Sequence, residues 1–152
     1  MRAPAPWAYV ATAEPLDQEM RERIAHHRGR RGAGWVTVEA PLGLADAIAE
    51  QKGPVLVDCL TLWLSNLFRA GRDIAREETR LLATLETTPL PIVLVSNEVG
   101  LGIVPDNQLA REFRDAQGRL NQRVAEIADH VVFMAAGLPL ILKHDSQGPR
   151  TP

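Results

Sequence analysis

The sequence predicts a doubly wound α/β fold, a mostly parallel sheet between layers of helix. Three observations carry the prediction. Short apolar runs rich in β-branched residues, such as Val55-Leu56-Val57 and Ile92 to Val95, alternate with longer stretches whose apolar residues recur every three or four positions; that alternation is the mark of strand-helix-strand units. The strand-like runs are continuous, as parallel strands covered on both faces should be. With 152 residues, 45% of them hydrophobic, the chain is long enough to bury one core and needs no second domain.

Trp7 to Thr12 reads as the first strand, turning at Thr12-Ala13-Glu14-Pro15. A helix follows in which Leu16, Met20, Ile24 and His27, spaced 4, 4 and 3 apart, form one inward face. It ends in the glycine-punctuated arginine loop Arg28 to Gly34. Trp35 to Glu39 is a second strand and Leu42 to Glu50 a short helix. Gly53-Pro54 introduces the strand Val55 to Asp58, which ends on a carboxylate. Cys59 to Arg69 is a helix with Leu60, Leu64, Leu67 and Phe68 inward, and Asp73 to Glu86 is another, carrying Ile74, Leu81, Leu82 and Leu85.

Pro89 and Pro91 punctuate the start of Ile92 to Val95, expected as a strand buried on both faces. The loop Ser96 to Pro105 contains Gly100 and Gly102, which permit backbone angles or close approaches that a side chain forbids. Asp106 or Asn107 then caps a long helix whose stripe is Leu109, Phe113, Ala116, Leu120, Val124 and Ile127, spaced 4, 3, 4, 4 and 3 apart. His130 to Met134 is a further strand, and Gly137 to Lys143 a last one at the sheet edge, where Pro139 is tolerated. The leader 1–6 and the tail 144–152 are expected to be disordered.

A net charge of −2 and a pI near 6.1 supply no basic stripe for nucleic acid. Of 17 basic residues only Lys52 and Lys143 are lysine, leaving 15 arginines. That bias suits bidentate anion contacts and equally follows from composition alone. The single Cys59 excludes an internal disulfide and fits a reducing compartment. No run reaches the roughly 18 apolar residues of a membrane span, and Met1 to Pro6 lacks a signal-peptide core. The expected location is cytoplasmic. Scattered histidines and one cysteine do not make a zinc site, and Ser65 and Ser96 lack a nucleophile elbow.

Two segments carry candidate chemistry. Val55 to Asp58 has the form of a strand whose terminal carboxylate holds the magnesium of a nucleoside triphosphate; the alternative is that Asp58 only caps the next helix. In His26-His27-Arg28-Gly29-Arg30-Arg31 a neutral imidazole stands beside guanidiniums able to neutralise phosphate oxygens, as phosphoryl or nucleotidyl transfer through a covalent histidine requires. His27 also continues the apolar stripe, so a packed helix-end histidine is the competing reading. The phosphate loop G-x-x-x-x-G-K-[ST] is missing from the sequence, and Lys52 in Gln51-Lys52-Gly53-Pro54 has no preceding glycine.

Three long blocks, from Tyr9 to Pro41, from Val55 to Phe68 and from Val93 to Gln122, closely resemble the bifunctional adenosylcobinamide kinase / adenosylcobinamide-phosphate guanylyltransferase family of cobalamin biosynthesis. The resemblance runs from Tyr9 to Lys143 and implies a P-loop NTPase-like (RecA-like) mostly parallel sheet flanked by helices. It implies an enzyme that phosphorylates adenosylcobinamide and then transfers GMP from GTP through a guanylyl-histidine to give adenosyl-GDP-cobinamide. GTP and ATP would be substrates and Mg2+ the cofactor. By the same matching His27 is the nucleophile, with His26 the second candidate. Ala11, Thr12, Ala13, Arg28, Gly29, Arg30, Arg31, Glu39 and Asp58 line the nucleotide site, and Asp58 also holds the metal.

A homo-oligomer, a trimer by resemblance, is implied, with Trp63, Leu64 and Phe68 either at its interface or in the core. Family members begin with a strand, a phosphate loop and a helix ahead of the strand starting here near Trp7; this chain is expected to lack all three. Either the reading frame starts upstream of Met1, or a truncated member survives as a binding or oligomerisation subunit. Gly32, where many members carry proline, loosens the arginine loop.

Overall fold

Apolar β-branched residues at Val10, Val55 and Val57 need cover on both sides, and the chain supplies it by burying β1 (Trp7–Ala11) and β3 (Val55–Asp58) side by side in the middle of a parallel sheet. The structure, a computed structural model, describes residues 5–144. β2 (Trp35–Glu39) pairs with β1 and β4 (Ile92–Val95) with β3, giving the order β2-β1-β3-β4. Every strand of this sheet runs parallel, in line with the predicted architecture.

Helices α2 (Leu44–Ala49), α3 (Leu60–Arg69), α4 (Ile74–Thr87) and α5 (Gln108–Ile127) pack around the sheet. Their apolar stripes meet in one core built from Leu44, Ile48, Leu60, Trp63, Leu64, Leu67, Leu81, Ala116 and Leu120. Trp63 and Leu64 are buried inside the chain itself, and Trp63 Nε1 donates to the Leu42 carbonyl at 2.9 Å. The core reading of these two residues therefore holds; Phe68 is half-buried and packs edge-on against Phe113. Of the two cap candidates for α5, Asn107 accepts from Ala110 N, and at the start of α4 Asp73 accepts from Arg76 N. Two buried carboxylates on α4, Glu77 and Glu78, are paired with Arg72 and Arg80 and with Arg123 respectively, as buried charge must be.

Several expectations need correction. Helix α1 (Gln18–Gly29) buries none of its residues. Leu16 precedes it and is 64% exposed, so the stripe through Leu16, Met20, Ile24 and His27 is no core face. Three apolar residues in a helix otherwise polar cannot exclude water without a second layer over them. β4 is an edge strand among the described residues, and Val93 and Val95 are exposed; it is not buried on both faces because it has one strand neighbour and one covered face. Leu109 points outward at 65% exposure, so the α5 stripe begins at Phe113.

The last two strands do not extend the sheet. β5 (His130–Ala135) and β6 (Leu138–His144) form their own antiparallel hairpin, turned by Ala136 and Gly137, both at positive φ. A two-residue turn favours hairpin closure over a crossover to the sheet edge. β6 reaches His144, one residue into the expected tail; residues 145–152, like 1–4, lie outside the described residues. Gly100 and Gly102 do not sit at positive φ. At Gly100 the constraint is approach: Glu98 Oε1 accepts from its N–H at 2.6 Å and would stand 2.8 Å from an added Cβ.

Leu64→Ala should cost about 2–5 kcal/mol of stability by leaving a void in the core. Leu16→Ala should change stability by no more than about 0.5 kcal/mol. Urea unfolding of the two variants checks both.

Candidate functional site

The C-terminal ends of parallel strands are where an α/β sheet leaves room for a ligand, and here that end is organised by Thr12. Its Oγ1 donates to the Cys59 carbonyl and accepts from the Cys59 N–H, both at 2.8 Å, and its own N–H donates to the Asp58 carbonyl at 3.1 Å. Asn66 Nδ2 donates to the Thr12 carbonyl at 2.7 Å and to the Pro41 carbonyl at 3.0 Å. All of these groups are buried or half-buried, so the polar seam is satisfied internally. Thr12 thus lies beneath the site as a structural clamp.

Above the seam opens a cavity of about 580 Å3 lined by Ala11, Ala13, Arg28, Gly29, Arg31 and Glu39, with Pro15, Arg21, Ile24, Ala25 and Thr37 completing the wall. Six of the residues expected at a nucleotide site therefore share one cavity. Arg28 Nη2 meets Glu39 Oε1 at 3.1 Å across the mouth, an exposed pair worth little on its own. Arg31 lies with its guanidinium carbon 3.7 Å from the centre of the Tyr9 ring, a cation–π contact. One of its nitrogens, Nη1, is buried with no hydrogen-bond partner. A guanidinium held flat on an aromatic face with an N–H to spare is suited to receive an anion.

Tyr9 continues the line to Asp58, whose Oδ2 accepts from the phenol. Burial first, and then the hydrogen bond to Asp58, push the Tyr9 phenol well above the ordinary tyrosine range. Asp58 does not cap α3: the cap residue is Cys59, without a side-chain cap bond. Burial likewise pushes the Cys59 thiol up, so it remains an inert thiol. Among the described residues no cluster of three or more His, Cys, Asp or Glu could hold a metal. A strand-end aspartate still fits Mg2+, which takes one or two carboxylates and completes its shell with water and phosphate oxygens.

Four expected residues lie apart from the cavity wall: Thr12 and Asp58 in the seam and at the end of β3, and Arg30 and His27 on the side of α1. Arg30 caps α1 at the surface, its N–H donating to the His26 carbonyl at 3.2 Å. His27 is exposed on the last turn of α1, its ring edge-on to His26 with centroids 6.2 Å apart. It is not packed, so the reading as a buried helix-end histidine is removed. Sequence reasoning missed Tyr9, Pro15, Thr37, Arg21, Ile24 and Ala25. The last three share with Arg28 a spacing of 3, 1 and 3, one helix face that was legible but eclipsed by the neighbouring apolar stripe.

Fold and cavity together define a parallel α/β protein with an arginine-bearing cavity at the C-terminal ends of its strands. The family model described as cobinamide kinase / cobinamide phosphate guanyltransferase matches residues 1–142, and the chain belongs to that family of nucleotide-dependent transferases. It is 48% identical over 141 residues to the bifunctional adenosylcobalamin biosynthesis protein CobP of Pseudomonas aeruginosa, covering 90% of this chain and 82% of that protein. The protein CobU of Salmonella typhimurium, carrying the same bifunctional description, is 40% identical over 153 residues, covering 89% and 84%. That of Escherichia coli is 39% identical over the same length and shares.

Tyr9 is the one tyrosine in the sequence, so its ionisation can be followed by ultraviolet absorbance. It should titrate above free tyrosine, and Asp58→Asn should bring it down part of the way, leaving the contribution of burial. The folded chain holds this proton more tightly than the unfolded one. The linked stability is therefore full below about pH 10 and is lost as pH rises through the folded value.

Proposed function

We propose that the chain acts as an adenosylcobinamide kinase and adenosylcobinamide-phosphate guanylyltransferase, with GTP and ATP as nucleotide substrates, in the cytoplasm. The observation that carries this reading is the cavity shared by Ala11, Ala13, Arg28, Gly29, Arg31 and Glu39 at the foot of the helix bearing His27. In the guanylyl step a neutral His27 nitrogen attacks the α-phosphorus of GTP, forming a phosphorus–nitrogen bond as the bond to pyrophosphate breaks. A phosphate oxygen of the cobinamide phosphate then attacks the same phosphorus and returns the imidazole.

Arg28 and Arg31 neutralise the phosphate oxygens during both displacements. For Arg28 that means leaving Glu39, an exchange made easy by the exposure of the pair. The buried Nη1 of Arg31 gains the hydrogen bond it lacks in the free protein. Asp58 would hold Mg2+, which supplies charge neutralisation on the triphosphate. Tyr9 keeps Asp58 and Arg31 in fixed relation by touching both. Assembly as a homo-oligomer, a trimer, belongs to the same reading.

At the bench, incubation with α-labelled GTP and Mg2+ should label the protein covalently, the label being acid-labile as expected of a phosphoramidate. His27→Ala should abolish the label and His26→Ala should retain it. A label lost only in His26→Ala would move the nucleophile by one residue, and an unlabelled wild-type chain would overturn the guanylyl-histidine reading.

A further inference from the structure

At the open end of the β5–β6 hairpin, far in sequence from the arginine loop, two histidines occupy one register position. His130 begins β5, His144 ends β6, and the ladder places them directly opposite each other. Their Nδ1 atoms are 2.8 Å apart while the ring centroids are 4.7 Å apart. The nitrogens are thus nearer than the rings, which means that the two Nδ1 edges face each other. Both side chains are exposed.

In the metal-free chain this approach can be satisfied by one N–H···N bond, which requires one imidazole to carry its proton on Nδ1 and the other on Nε2. The same separation suits a second occupant. Two cis ligands about 2.0–2.1 Å from a metal at about 90° stand about 2.9 Å apart, whereas a tetrahedral pair stands about 3.3 Å apart. The observed spacing matches the square-planar or octahedral case. Imidazole nitrogen is a preferred donor for Cu2+ and Ni2+, and those ions adopt tetragonal geometry.

The scaffold holds the pair in place from both strands. Lys143, next to His144, turns away and donates to the Ala125 and Glu126 carbonyls at 3.0 and 2.9 Å, tying the end of β6 to the last turns of α5. A register shift between Val131 and Val132 lies one step along β5, and irregularities of this kind re-aim neighbouring side chains. Preorganised ligands lose little freedom when an ion arrives.

The structure assigns to His130 and His144 a bidentate surface site for a divalent transition ion of tetragonal preference, Cu2+ or Ni2+, which clips the open end of the hairpin. The two Nδ1 atoms are the protein's ligands, and water fills the other positions because the rings are exposed. The site is independent of the nucleotide cavity and of the reading proposed for it.

Isothermal titration of the untagged chain with Cu2+ in a non-chelating buffer tests it. One equivalent should bind, and electron paramagnetic resonance should show an axial signal with hyperfine structure from two imidazole nitrogens. His130→Asn and His144→Asn should each weaken binding by at least about tenfold, with circular dichroism confirming that the variants fold. Ni2+ should raise the thermal midpoint of the wild-type chain and leave that of either variant unmoved. Absence of binding to the wild-type chain up to millimolar Cu2+ overturns the assignment, as does binding that persists undiminished in the double variant, where His26 and His27 remain.

Discussion

The buried hydroxyl of Thr12 is the constraint on which the site depends. β1 and β3 end side by side, and at that point backbone groups that can no longer pair along the ladder must find partners. Thr12 answers both the donor and the acceptor of Cys59 with one oxygen, and Asn66 of α3 donates through its amide nitrogen to the Thr12 carbonyl and to the Pro41 carbonyl in the loop after β2. Each such bond contributes about 1 kcal/mol net, but leaving one of these buried groups without a partner costs about 1–3 kcal/mol. The seam therefore fixes where Ala11, Ala13 and Asp58 stand before any ligand arrives.

On that base the cavity is built with unequal firmness. One wall comes from Ala11 of β1 and from Thr37 and Glu39 of β2; the other is α1, a helix with no buried residue. The rigid side carries Tyr9 and Asp58, and Arg31 is held against it by the aromatic face. The loose side carries Arg21, Arg28 and His27. A ligand with several negative charges would be met by one arginine already positioned and others free to close on it, which keeps the charge-bearing side chains solvated until they are needed.

Away from the site the sheet ends at β2 on one side and β4 on the other. At β2, Trp35 packs against Trp7 and Tyr9 of the neighbouring β1. β4 has an outer edge with no partner among the described residues, and residues of β4, α5 and β5 line an apolar groove of about 520 Å3. Exposed edges of this kind are templates for pairing. The hairpin adds Leu138, Leu140, Ile141 and Leu142 to the exposed apolar surface, more than isolated surface leucines account for.

Much of this was legible in the sequence. The strand and helix order, the cap at Asn107, the core stripes of α3 and α4, and the blocks that mark the family are all local patterns or long matches, and they need no knowledge of what lies across the molecule. The arginine loop and the strand-end aspartate were likewise visible as residue types. Tertiary structure decided what spacing cannot: whether an apolar face is covered. The stripes of α1 and α5 look alike in period, yet α5 packs against α3 and α4 over the core and α1 does not, so one is core and the other is cavity wall. It also decided that Thr12 clamps from beneath the site, that Tyr9 joins Arg31 to Asp58, and that His130 meets His144. The physical reason is the same in each case: periodicity reports which residues share a face, while burial and pairing depend on which distant segment the fold brings against it.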